Sequence, residues 1–316
     1  MTAAIRRIDL ADEIGLLAYV RIRNGVTPDN TDSLEQLRWE DAAYPGEAVR
    51  FLAESDGIAV GTASTGRIWM HERGFERWWL GIWVEPEARS RGAGSALYSA
   101  LSEAARAAGK TGFQTELSEA YPDGRRFLAN RGFVEIERNK MVRLDLAGLK
   151  PPGIAAPPGI LVTTIAERPD LVAGVHAVAL EAFPDIPSTD ESIDVGTLEA
   201  FVARDVERVG IPREAFFVAL DEASGEVAGY ASLIYSAGST TVAYPDMTAV
   251  RRAYRGRGIA GALKRATIAW AIENDLEALD TGNDETNAPM RAVNAALGYL
   301  PLPDWLGLRG PLAPTP

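Results

Sequence analysis

A turn rich in glycine and arginine occurs twice in this chain. It reads Arg89-Ser90-Arg91-Gly92-Ala93-Gly94 and Arg255-Gly256-Arg257-Gly258-Ile259-Ala260, each time between a hydrophobic run that reads as a strand and a stretch that reads as a helix. A second landmark keeps the same register, Gly132-Phe133 following Gly92 at the spacing at which Gly298-Tyr299 follows Gly258. Recurrence in register is the mark of internal duplication, so the chain must fold as two copies of one unit.

Small residues at such a turn leave consecutive backbone N–H groups free to point into one concavity as the helix opens, which makes an anion nest. Gly92 and Gly94, or Gly258 and the small Ala260, let a phosphate oxygen reach the main chain where a side chain would block it. The arginines add fork-shaped positive charge. Downstream, Leu97, Leu101 and Ala104, then Leu263, Ala266, Ile268 and Ile272, give each helix one apolar face. Two other phosphate motifs fail on the same residues. A dinucleotide fingerprint would need a third glycine at Leu97 or Leu263, and a P-loop ending in Gly109-Lys110-Thr111 would need its first glycine at Ala104, inside a helix.

The 316 residues suit two domains of about 150 residues each. The boundary is expected at Lys150-Pro151-Pro152-Gly153 through Pro157-Pro158-Gly159, which continues neither a helix nor a central strand. This gives an N-terminal domain over 1–148, a linker over 149–159 and a C-terminal domain over 160–316. In the first copy the pattern predicts a strand near Ile5, helices over 12–23 and 33–42, a hairpin of 50–54 with 58–65, strands over 78–84 and 113–117, a short helix near Phe127 and a strand over 133–144. The second predicts counterparts from Ile160 to a terminal strand. The expected class is α/β, a mixed sheet with covering helices in each copy.

These residues resemble the GNAT N-acyltransferase superfamily, whose phosphate loop reads Gln/Arg-x-x-Gly-x-Gly/Ala after a strand ending in valine. Ile82-Trp83-Val84 and Thr248-Ala249-Val250 precede the two loops at that spacing. The second copy also resembles the family's other motif, from Asn287 to Leu297-Gly298-Tyr299, whereas the first has Tyr121 in place of that Asn. The resemblance covers nearly the whole chain. It implies two tandem domains, each a central twisted mixed sheet flanked by helices, with CoA held by Val84, Arg89, Ser90, Arg91, Gly92, Ala93, Gly94 and Ser95 in one. In the other, Val250, Arg255, Gly256, Arg257, Gly258, Ile259, Ala260, Gly261 and Asn287 would hold it. It further implies that the strand before each loop splays from its neighbour, so that a thioester lying along it meets an acceptor amine and a main-chain N–H supports the carbonyl oxygen.

For proton transfer the candidates are Asp246 as base, directly or through water, with Tyr244 beside it and Asp280 and Asp284 flanking the neighbouring strand. Many family members protonate the leaving thiolate with a tyrosine four residues before the Gly-aromatic pair. This chain has Leu128 and Asn294 there, and an amide is at most a hydrogen-bond donor. The second copy is therefore expected to catalyse acetyl transfer from acetyl-CoA to a small amine, with Asn294 donating toward the sulfur. The first is expected to bind acyl-CoA, with a structural or regulatory role or a second active site all open. The other function class is a non-catalytic acyl-CoA sensor. Mycothiol synthases are tandem members of comparable size that the chain resembles in architecture, although an aromatic would be expected where Asn294 stands.

The remaining composition narrows partners. There is no cysteine, which excludes disulfides and thiolate chemistry, and the two histidines, His71 and His176, read as packing residues rather than metal ligands. A net charge of −12 disfavours nucleic acid and favours a cationic acceptor of polyamine or aminoglycoside type, expected to meet Glu181, Asp185, Asp190, Glu191 and Asp194. No apolar run reaches membrane length and no leader precedes the first acidic residues, so a cytoplasmic location is expected.

Overall fold

A computed structural model describes residues 3–28, 30–43, 47–68, 71–186, 195–235 and 239–315. In chain order the elements are β1 (Ala4–Ile8), α1 (Glu13–Val26), α2 (Leu34–Ala43), β2 (Ala48–Ser55), β3 (Ile58–Gly66), β4 (Arg77–Val84), α3 (Ala93–Ala107), β5 (Gly112–Ser118), α4 (Pro122–Ala129) and β6 (Val134–Asp145). They continue with β7 (Ile160–Thr164), α5 (Val172–Ala182), α6 (Leu198–Phe201), β8 (Phe216–Asp221), β9 (Val227–Tyr235), β10 (Val242–Val250), α7 (Ile259–Glu273), β11 (Ala278–Asp284), α8 (Ala288–Ala296), β12 (Leu300–Pro301) and β13 (Trp305–Pro311).

Two compact units result, Met1–Arg138 with Pro303–Pro316, and Asn139–Leu302. This division differs from the one expected at the proline-rich linker. The C-terminal strand β13 pairs antiparallel with β5 from Trp305↔Ser118 to Pro311↔Gly112, within the first unit. The Asn139–Asp145 half of β6 pairs antiparallel with β11, from Asp145↔Ala278 to Asn139↔Asp284, within the second. Each copy thus closes its sheet with the last strand of the other. Strand pairing is non-local and period-two patterning only assigns faces, so the linker composition carries no record of which edge a strand joins.

Within the first unit the strand order is β1-β2-β3-β4-β5-β13, and within the second β6-β11-β10-β9-β8-β7 with β12 on β6. In each, the single parallel pair joins the strand before the phosphate turn to the strand after its helix, as a right-handed crossover requires. That pair is short. β4 meets β5 only at Arg77↔Gly112, Trp78↔Phe113 and Trp79↔Gln114, and β10 meets β11 only at Val242↔Ala278 and Ala243↔Leu279. Beyond these residues the strands part, which is the splay expected for both copies.

The helices carry the predicted stripes. Leu97, Leu101 and Ala105 of α3 are fully buried against Ala53, Ala63, Leu80 and Phe113, together with Leu306 and Leu308 of β13. In the second unit α7 presents Ile259, Leu263 and Ala266 to Ala219, Ala228 and Ala231, and Ile268 and Ala271 to Leu144 and Leu279. The opposite face of that sheet packs α5 and α6 through Val175, Val178 and Phe201 on Phe216, Tyr230 and Ala249. No described helix is long and apolar enough to cross a membrane.

Candidate functional site

The two arginine-glycine turns have nearly one backbone. Ser90 and Gly256 sit at φ +59° and +74°, and Gly92 and Gly258 at φ +93° and +87°, each of the latter two standing immediately before its helix. Left-handed φ at those positions turns the chain so that the first amides of the helix face outward. Among the described residues no side chain caps either helix, and the first intrahelical bonds are Ala96 N–H to Gly92 O and Ala262 N–H to Gly258 O. A side-chain methyl built at Gly92, Gly256 or Gly258 would meet no atom within 4 Å. Open space, uncapped amides and a helix N-terminus together fit a pyrophosphate.

Arginines set the rims. Arg89 Nε donates to Val84 O at 3.1 Å and Arg255 Nε to Val250 O at 3.0 Å, tying each turn to the end of its strand. Arg91 and Arg257 are exposed, the latter donating to Ala253 O at 3.1 Å and lying 5.0 Å over Tyr254. In the first unit Arg131 donates to Ser95 Oγ at 2.7 Å and stacks 3.5 Å over Phe127, whose ring lies against Gly94. In the second, Asp185 accepts from Arg252 at 2.6 and 2.9 Å and from Arg255 at 2.7 Å, and Glu181 accepts from Arg252 N–H and pairs with Arg251. The two arginine forks hold the Asp185 carboxyl down to about 2. Glu181 and Asp185 are therefore engaged by the phosphate turn, whereas Asp190, Glu191 and Asp194 lie outside the described residues.

Asp246 occupies the splay. The β10–β9 register shifts between Pro245 and Met247, so Asp246 is the extra residue of a β-bulge, a device that re-aims a side chain next to a site. It keeps access to solvent although many protein atoms surround it, and that surrounding raises its carboxyl above the ordinary range. Arg208 opposes the shift and Asp205 adds to it. Tyr244 stands on β10 directly after the last β10–β11 pair. Asn294 is buried in α8 and donates to Asn283 Oδ1 of β11 at 2.8 Å, so its amide braces α8 on the opposite wall of the splay. Asn287 caps α8, its Oδ1 accepting from Met290 N–H.

Asp280 is nine-tenths buried in a bidentate pair with Arg143, at 2.6 and 2.7 Å, which makes it a structural anchor rather than a base. Asp284 accepts from the backbone and hydroxyl of Thr286. Trp83 packs edge-on to Tyr19 and across Gly81, while Trp78 joins the α3 core. His71 stacks on Phe75 and His176 contacts Gly196 O at 3.1 Å. Among the described residues no group of acidic or histidine side chains could hold a metal.

Three groups escape a reading of the sequence. In the first unit Glu116, on β5 two residues beyond its last pair with β4, is pushed up to about 7, chiefly by dense surroundings and then by Glu137. Like Asp246 it stays open to solvent. In the second, Tyr230 and Ser232 of β9 are each 1% exposed with hydroxyls that have no hydrogen-bond partner among the described residues. Burial without a partner is costly, which points to a group they await.

Comparison with known proteins agrees with this geometry. The profile of the acetyltransferase (GNAT) family matches residues 18–133 and 178–299. A tandem GNAT protein from the clavulanic acid biosynthesis pathway superposes with a TM-score of 0.81 at 21% identity over 99% of this chain and 100% of its own. A GCN5-related N-acetyltransferase from Sphaerobacter thermophilus gives 0.70 at 20% identity, over 99% and 97%. Saccharomyces cerevisiae N-myristoyltransferase, solved with bound myristoyl-CoA, gives 0.67 at 11% identity, over 100% and 80%. No curated protein sequence matches the chain.

Proposed function

We propose, because the chain belongs to the acetyltransferase (GNAT) family, that it transfers an acetyl group from acetyl-CoA to the amine of a small molecule, with the second unit as the reacting half. The observation that carries this reading is the Asp246 bulge, which sets a carboxylate in the splay ahead of an uncapped phosphate nest. The amides of Ile259, Ala260 and Gly261 with Arg255 and Arg257 would hold the pyrophosphate, and the open edge of β10 beyond Ala243 would run beside the pantetheine. Acetyl-CoA supplies an activated thioester carbonyl.

The chain's own work is positioning and proton transfer. An acceptor arrives as an ammonium, which has no lone pair to attack with; Asp246 takes one proton from it. The neutral amine then forms the C–N bond as the C–S bond breaks; the new amide nitrogen sheds its second proton to solvent, the leaving thiolate takes one up from solvent, and Asp246 releases the first, giving amide, CoA thiol and one proton, while Asn294 gives one of its two N–H groups to Asn283. A raised carboxyl pKa suits this task better than an ordinary one, since it lies closer to working pH. In the first unit Leu128 is buried in the core and Tyr121 precedes α4, which supports acyl-CoA binding there without turnover.

Acetyl-CoA with a panel of small amines, followed by free thiol and by the mass of the amide, tests the reading. Wild-type protein should give amide with at least one amine, and Asp246→Asn should lower the rate about 100-fold or more while CoA still binds. CoA binding without amide from any amine would instead establish an acyl-CoA binding protein.

A further inference from the structure

The second unit holds a polar group of residues beside Asp246 that transfer of an acetyl group does not by itself require. Tyr230 and Ser232 alternate along β9, so both hydroxyls leave the same face, opposite Ala249 and Met247 of β10 and one residue from the bulge. Both are buried and have no partner among the described residues, the Tyr230 ring being held by stacking on Phe216 at 5.6 Å. The same face receives charges of both signs from the segment after α6, where a π-helical turn over Val202–Val206 interrupts regular helix. Arg204 lies on Asp205 at 2.7 and 2.8 Å and also donates to Val195 O. Arg208 follows one turn later and is the cation that acts most strongly on Asp246.

The balance of these charges constrains the acceptor. Among the described residues, two carboxylates, Asp205 and Asp246, are balanced by two guanidinium groups, Arg204 and Arg208, so these four groups together present both signs and no net charge. Glu181 and Asp185, which could have supplied one, are engaged by Arg251, Arg252 and Arg255. A ligand with a positive and a negative group a few bonds apart matches both signs at once.

Resting on the proposed N-acyl transfer, we propose that the acceptor is an amine that also carries a carboxylate, of the amino-acid class, with its ammonium turned to Asp246 and its carboxylate to Arg208. Tyr230 and Ser232 supply hydroxyls to its polar atoms. The hydroxyls explain themselves in this way, since each gains the partner that the folded chain does not give it.

The test compares matched pairs that differ only in the carboxylate: L-leucine with 3-methylbutylamine, L-lysine with cadaverine, and L-phenylalanine with phenethylamine. Wild-type protein with acetyl-CoA should favour the acid member of at least one pair in kcat/KM by about 10- to 100-fold, the span of one charge-assisted contact. Arg208→Gln should erase that preference, read as the acid-to-amine ratio of KM within the variant, since losing Arg208 also shifts the Asp246 carboxyl and with it the rate on both members. Tyr230→Phe and Ser232→Ala remove hydroxyls with no partner among the described residues, so they should raise KM for the acid several-fold at unaltered thermal stability. Equal or better use of the amines by wild type, or a preference that survives Arg208→Gln, overturns the assignment. Should no compound of either series be acetylated, N-acyl transfer fails separately, and calorimetric titration of CoA-loaded protein decides the acceptor class. Binding of the acid alone, lost in Arg208→Gln, upholds it, and binding of neither or of the amine alone overturns it.

Discussion

The two phosphate nests and the two clefts behind them diverge to very different degrees. At the nests, Ser90 and Gly92 repeat the left-handed φ of Gly256 and Gly258, both helices begin uncapped, and the first arginine of each turn donates to the last carbonyl of its strand. At the clefts, the second unit carries its carboxylate on the bulge of β10, while the first carries Glu116 on the neighbouring strand, at the register position that Gly282 occupies in the second. Pyrophosphate recognition rests on backbone geometry, which few sequences can supply. A proton acceptor needs only a side chain in reach, and either wall of the splay can present one. The two copies are thus alike where they would bind and unlike where they would react.

Removing residues 303–316 should have the largest effect and should fall on one unit. The first unit would lose β13 and with it Leu306 and Leu308 from the α3 core, the Tyr98 hydroxyl bond to Pro311 O and the Arg106 bond to Ala313 O. Each fully buried leucine is worth about 1.5–3 kcal/mol by burial alone, a large share of a domain's net stability. Hydrogen exchange should show β5 and α3 losing protection, while β8 and β9 of the second unit keep theirs. Uniform loss across both units would mean that the two do not unfold separately.

Next in size is a carboxylate placed in a nest. Gly258→Glu puts charge and a left-handed non-glycine residue where the pyrophosphate would sit, and should reduce turnover about 100-fold or more with loss of one CoA-binding event by calorimetry. Gly92→Glu should remove the other binding event and leave turnover within about twofold. The reverse pattern would make the first unit the reacting half, and unchanged binding in the double variant would remove CoA from both.

The contrast between nests and clefts also explains how much the sequence discloses. The nests were legible because glycine at left-handed φ and arginine at a turn leave a local signature, and the helices because Leu97, Leu101 and their counterparts repeat at helical spacing. Asp246 was legible as a candidate on a strand, but the bulge that turns it into the splay appears only in the register with β9. Glu116, Tyr230 and Ser232 read as ordinary strand residues, since what surrounds each of them is set by packing between distant segments. The exchanged strands were illegible for the same reason. Both β6 and β13 have the pattern of a strand, and nothing local says which β-edge receives which.

Asp246→Asn and Glu116→Gln sharpen the comparison at the clefts, with a smaller effect on stability than on rate. For each carboxyl the folded state favours the protonated form, so its contribution to stability is full below the ordinary carboxylate range and is lost as pH rises through the raised value, about 7 for Glu116. Each amide variant should therefore melt about 1–3 °C above wild type at pH 8 and level with it at pH 4. Turnover should separate them. Asp246→Asn should abolish the acid limb of the pH–rate profile, which in wild type lies above the usual carboxylate range because only the ionised base acts, whereas Glu116→Gln should leave the profile in place. A profile that moves with Glu116 would make the first cleft a reaction centre.

The smallest expected effect concerns a carboxylate by which the nests differ. Asp185 binds Arg252 and Arg255 with three contacts of 2.6–2.9 Å, while in the first unit Asp123, on a different element, approaches Arg89 only at 3.6 Å. Asp185 therefore offsets positive charge that would otherwise face the pyrophosphate, and Arg255 keeps its place without it through the bond to Val250 O. Asp185→Asn should tighten CoA binding by the second unit about two- to fivefold at low salt, a difference that shrinks at high ionic strength as exposed charges are screened. Asp123→Asn should change binding by the first unit less. Because Asp185 is held to about 2, its pairing should persist at every pH above the ordinary carboxylate range and be lost only as pH falls toward that value, so the effect of the variant should be flat between pH 5 and 8. Weaker CoA binding by Asp185→Asn would mean that the carboxylate orients the arginines for the phosphate, and that the second nest depends on a side chain where the first relies on backbone alone.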